Sequence, residues 1–132
     1  MTEKLQLKMK EEIVKLPKNR QDAINSVNWP EITNEIGKKY LLQEDEINDL
    51  QLETGLVLLG LVDFNIYKFN VENIGITKEE SEKIANEILE KILTPIAIII
   101  EGDIKSKIKT QNPKWNQRVN FIISGGDYSN FI

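Results

Sequence analysis

The chain predicts an all-α fold: a compact bundle of about five helices followed by a poorly ordered or irregular C-terminal tail. Three observations carry that prediction. Apolar residues recur at helical spacing through the first hundred positions, proline, glycine and capping residues punctuate them, and only nine of the 132 residues are aromatic. The core is therefore drawn mostly from Ile, Leu and Val.

Leu5, Met9, Ile13 and Leu16 follow the helical period over Lys4 to Leu16, and Pro17 ends that run. A short second helix is expected over Asn19 to Val27, with Ala23, Ile24 and Val27 on one side. Asn28-Trp29-Pro30 breaks the chain, because the residue before proline is pushed out of the α region while Pro30 suits the first turn of the next helix. That third helix, Glu31 to Tyr40, carries Ile32, Ile36 and Tyr40 in one stripe.

The stretch QEDEINDLQLETGLVLLGL, from Gln43, is expected to be the central, buried helix. Its acidic first turn complements the helix dipole, and its second half is apolar nearly all round. Each internal glycine costs about 1 kcal/mol relative to alanine. Gly55 and Gly60 therefore call for a reason, either close approach of a neighbouring helix or, at Gly60, a C-terminal cap.

Asp63 to Ile74 fits neither helical nor strand period cleanly and is read as a short helix ended by Gly75. Thr77-Lys78-Glu79-Glu80 has the pattern of a capping box. From there Ile84, Ile88, Ile92, Ile96 and Ile99 form a stripe with steps of 4, 4, 4 and 3, a long helix expected to bend near Pro95 and to pack along the Gln43 helix. Beyond Gly102 the periodicity decays, so residues 1–102 read as the bundle and 103–132 as a basic C-terminal extension.

Composition narrows the chemistry. There is no cysteine and no histidine, which removes disulfides, thiolate metal sites, cysteine nucleophiles and every Ser-His or Cys-His arrangement. The amino terminus lacks the apolar run of a signal peptide, and the longest apolar runs are far short of the roughly 20 residues of a membrane span. A cytoplasmic location is expected. The net charge of −4 is uneven: residues 1–20 carry +3, 21–63 carry −7, 64–102 carry −3 and 103–132 carry +3.

Glu46, Asp49 and Glu53 share a helical face, but no calcium-loop pattern accompanies them, and a solvated acidic face is the simpler reading. No metal site and no cofactor are assigned. No pair of carboxylates is placed in an apolar pocket by the sequence, so no catalytic residue is named and a non-enzymatic protein is expected. Lys105, Lys107, Lys109, Lys114 and Arg118, with Trp115 among them, have the composition of a single-strand nucleic-acid contact. Apolar positions in excess of core needs, Ile98, Ile99 and Ile100 with Phe121, Ile122 and Ile123, are the candidate protein-contact surface.

Leu16-Pro17, Gln21, Ala23-Ile24, Ser26-Val27, Glu35-Ile36-Gly37, Leu50 and above all the run ETGLVLLGL from Glu53 to Leu61, with the later Glu87-Ile88 and Pro95-Ile96, carry a resemblance. Over about residues 10–100 the chain resembles a small helical domain of uncharacterised proteins from candidate-phylum, reduced-genome bacteria. The resemblance implies a compact all-helical domain of bacterial origin and brings no activity, substrate or catalytic residue with it. The function expected is a helical protein-interaction module whose partner is another protein. The alternative is a small nucleic-acid- or ribosome-associated factor that uses its basic termini.

Overall fold

A computed structural model describes residues 3–104 together with Val119, Ile122 and Ile123. Among the described residues the fold is all-α, with seven α-helices and one π-helical turn: α1 (Glu3–Ile13), α2 (Lys18–Asn25), α3 (Trp29–Lys39), α4 (Glu44–Leu58), α5 (Phe64–Glu72), α6 (Lys78–Ile88), the π turn (Leu89–Leu93) and α7 (Thr94–Ile104). The last three are contiguous.

The junctions follow from local chemistry. After α1 the Lys15 and Leu16 amides bond back three residues, to Glu12 and Ile13, and Gln21 Nε2 donates to the Val14 and Leu16 carbonyls at 3.2 and 2.7 Å. The chain ahead of Pro17 thus keeps its carbonyls satisfied. Asp63 accepts the Ile66 amide at 2.9 Å and starts α5, which resolves the ambiguous segment as a helix. Thr77 accepts the Glu80 amide at 3.2 Å, while a carboxylate that returns to its cap is found at α4, where Glu46 accepts the Gln43 amide at 2.7 Å.

Two helices end in the same way with different residues. At α4, Leu61 N–H bonds the Leu56 carbonyl and Gly60 N–H the Val57 carbonyl, with Gly60 at φ +78°. This is a Schellman cap, and glycine takes the left-handed conformation there without a Cβ penalty. At α3, Leu42 N–H bonds the Gly37 carbonyl and Leu41 N–H the Lys38 carbonyl, and the left-handed residue is Leu41 at φ +61°.

Helices α3, α4, α5 and α6 close a ring in which each packs on its two neighbours, α3 on α4, α4 on α5, α5 on α6 and α6 on α3. Helices α4 and α6 therefore occupy opposite corners, rather than lying along one another as the two strongest stripes suggested. Helix α2 packs on α7. The continuous α6–π–α7 rod is the most buried element: Ile84, Ala85, Ile88, Ile92, Leu93, Ile96 and Ala97 are all buried, as is Ile100.

Ahead of Pro95, where a bend is expected, the rod has a π turn that ends at Leu93, and the Thr94 amide bonds the Leu89 carbonyl five residues back. Isoleucines spaced by four drift about 40° per step around a 3.6-residue helix, so the four steps from Ile84 to Ile100 would carry the stripe about 160° around the rod. The wider π turn absorbs an extra residue in mid-stripe and returns the last isoleucines to the core side. It also precedes Pro95, which has no N–H to give and crowds the preceding turn. The stripe accordingly ends on Ile100, and Ile99 faces out.

Val119, Ile122 and Ile123 are buried in the same core. Arg20 reaches from α2 to donate to the Leu58 carbonyl at the end of α4, at 3.3 Å, and to the Ile123 carbonyl. The core thus draws on residues from both sides of the boundary expected at residue 102.

Candidate functional site

The apolar contact surface expected from the sequence divides in two. Ile98 and Ile99 on α7 are exposed, at 54% and 42%, whereas Ile100, Ile122 and Ile123 are buried core residues. The physical reason lies in the phase of the helix. Ile96, Ala97 and Ile100 share the side that packs inward, and Ile98 and Ile99 fall on the other. Phe121, and the cationic group Lys105, Lys107, Lys109, Lys114, Trp115 and Arg118, lie outside the described residues.

A second apolar face lies on α5. Phe64, Tyr67 and Val71 are buried, while Ile66 and Phe69, one turn apart, are 51% and 63% exposed. At 100° per residue the two sets lie on opposite sides of the helix. The signal was present in the sequence: five apolar or aromatic residues in FNIYKFNV exceed what one helical face can hold. Without the inward set identified, the outward set could not be separated from it.

The acidic stripe has structural work. Glu46 caps α4, and Glu53 accepts the Asn70 side-chain amide at 2.9 Å, tying α4 to α5. The densest charge cluster joins α3 to α6 instead. Glu87 accepts Lys39 Nζ at 3.0 Å and Lys91 Nζ at 2.8 Å on one carboxylate oxygen, and the Tyr40 hydroxyl neighbours the same carboxylate. Burial opposes ionisation of Glu87, but the adjacent Lys91 ammonium, Tyr40 hydroxyl and Lys39 ammonium outweigh it and hold its pKa down to about 2. The neighbouring Glu87 carboxylate, followed by burial, pushes the Tyr40 hydroxyl up to about 12.

One groove combines an apolar floor with a polar rim. It measures about 370 Å³ and runs between α1 and the segment from the end of α2 to the start of α3. Gln6, Met9, Lys10 and Ile13 form one bank at i, i+3, i+4 and i+7, and Ile24 to Pro30 form the other. Met9, Ile13, Ile24 and Trp29 are buried along the floor, while Gln6, Lys10, Asn25 and Asn28 are exposed at the edge. Gly55 lies behind it: a Cβ there would sit 2.6 Å from Met9 Cε and 3.2 Å from the Trp29 ring. Trp29 is 5% exposed, with its ring against α4.

Among the described residues no helix is long and apolar enough to cross a membrane. The chain matches no protein-family model, no curated protein and no solved structure.

Proposed function

We propose that the protein is a non-enzymatic, cytoplasmic helical interaction module whose partner is another protein, and that it belongs with the small bacterial helical domains its ETGLVLLGL run resembles. One observation supports this reading. Helices α5 and α7 each have an inward apolar face committed to the core and a second apolar face, Ile66–Phe69 and Ile98–Ile99, exposed to solvent. Scattered exposed aliphatics are ordinary on any protein, but paired ones opposite a satisfied core face have the chemistry of a contact surface.

A photo-crosslinking residue at position 98, compared with one at exposed Lys83, tests the proposal in cells. A discrete crosslinked species from position 98 that is absent from position 83 and lost on Ile99→Asp is the expected result. Identical patterns from the two positions would remove its support. A product dominated by RNA would favour the nucleic-acid alternative.

A further inference from the structure

We propose that the outward face of α5 and the acidic hollow beside it form one docking surface, and that its occupant is a basic amphipathic helix of another protein. The proposal rests on the reading of the α5 face as a protein-contact surface and adds the chemistry of the partner. Ile66 and Phe69, 51% and 63% exposed, lie about 60° apart around the helix, and Asn73 falls between them. Asn73 is also part of the wall of a hollow of about 280 Å³ between α4 and α5, lined besides by Asp49, Leu52, Glu53, Asn70 and Ile74. The apolar face and the hollow therefore meet along one edge. Two anchors one turn apart beside a hollow between helices suit a helix laid alongside α5, whose own apolar side chains recur at the same spacing.

The charges around that edge decide the occupant. Asp49 is exposed and Glu53 half-buried, and among the described residues neither forms an ion pair. Glu72, half-buried, flanks Phe69 on its other side and has no ion pair among them either. The one cation of α5, Lys68, lies 5.6 Å from the centre of the Phe64 ring, on the far side of the helix from Ile66. An apolar face rimmed by carboxylates that no neighbour neutralises is complementary to a helix with aliphatic side chains on one face and Lys or Arg along its margin. A second copy of this chain would bring the same carboxylates to the contact, and like charges set against one another repel.

The test uses the full chain and a fluorescein-labelled peptide of leucine and lysine, about 18 residues long so that it can form a helix, with its leucines at helical spacing. A twin peptide has glutamate for lysine. At about 50 mM salt, where charge contacts are little screened, the anisotropy of the lysine peptide should rise saturably, and the glutamate twin should bind at least about tenfold more weakly. Phe69→Ser and Ile66→Ser, both at exposed positions, should each weaken the lysine peptide about tenfold. Asp49→Asn combined with Glu53→Gln, which keeps an acceptor for Asn70, should weaken it roughly three- to tenfold. Glu31→Gln combined with Glu35→Gln removes the same charge from exposed positions on α3, at the opposite corner of the ring, and should leave the affinity unchanged.

An equal loss from the α3 pair would mean attraction to net charge alone and would overturn the docking surface. So would the absence of saturable binding, or undiminished binding by Phe69→Ser and Ile66→Ser. Equal binding of the two peptides, lost in Phe69→Ser, would leave α5 a protein-contact face and overturn the choice of a basic partner. A dimer of the protein alone in sedimentation, dissociated by Phe69→Ser, would give the face to a second copy instead.

Discussion

The Tyr67 hydroxyl and Thr54 Oγ1 lie 2.9 Å apart in the fully buried centre of the fold, joining α4 to α5. Thr54 Oγ1 also lies 2.8 Å from the Leu50 carbonyl. That carbonyl can only accept, so the one threonine proton goes there and Tyr67 donates to the threonine oxygen. The direction predicts an asymmetry. Tyr67→Phe removes a donor and leaves Thr54 bonded to Leu50, at a cost of about 1 kcal/mol. Thr54→Val strands the phenol and should cost about 1–3 kcal/mol. Urea unfolding of both single variants and the double variant checks this, and additive losses would refute the coupling. Burial also raises the Tyr67 pKa, so its ultraviolet titration should appear only as the protein unfolds in alkali.

Gly55 and Gly37 mark two close helix approaches of unequal tolerance. At Gly55 the nearest obstacle is the flexible end of Met9, so Gly55→Ala should be nearly neutral, whereas Gly55→Leu should cost about 1–3 kcal/mol through overpacking. At Gly37 a Cβ meets Ile47 Cγ1 at 2.6 Å, close to the α4 backbone. Gly37→Ala should therefore destabilise more than Gly55→Ala. Thermal melts with and without Ile47→Ala show whether relieving that contact restores part of the loss.

Leu41 holds a left-handed conformation while 86% exposed, so it contributes little packing in return for its backbone strain. Leu41→Gly should stabilise the protein by about 1 kcal/mol. The denaturant midpoint should rise with an unchanged slope. A fall in midpoint would show that the side chain contributes more than its exposure implies.

The Glu87 clasp predicts both ends of the pH profile. Its folded pKa, about 2, lies below the ordinary 4.5, so its contribution is fully present above about pH 4.5 and is lost as pH falls toward 2. Tyr40 is shifted the other way, from 10 to about 12, so its contribution is present below pH 10 and is lost as pH rises through 12. Glu87→Gln should flatten both limbs, and at neutral pH it should cost on the order of 1 kcal/mol. Equilibrium unfolding at pH 2.5, 7 and 11 checks it, and unchanged limbs in the variant would place the pH dependence elsewhere.

The helices were legible in the sequence because their causes are local. Pro17, Pro30 and Thr77 act within a turn or two of themselves, and the period of four from Ile84 onward identified the long rod. The same period contained the π turn, since isoleucines four apart cannot stay on one side of a 3.6-residue helix. Choosing Ile99 over Ile100 as the fifth member took the helix to be regular. The α5 contact face was half legible, with too many apolar residues for one face and nothing to say which set turned inward. The groove was not legible at all, because its banks are residues 6–13 and 24–30 and its width is set by how α1 rests on Gly55.

By itself, then, the sequence determined an all-α domain, most of its helix boundaries, and a chemistry without cysteine or histidine. Tertiary structure decided the ring of α3 to α6, the burial of Ile122 and Ile123, and the identity of the outward faces. Periodicity records that a helix has an apolar side, whereas the element that covers that side is chosen by contacts between residues far apart in the chain. Arg20 and the Ile123 carbonyl, 103 positions apart, are such a contact.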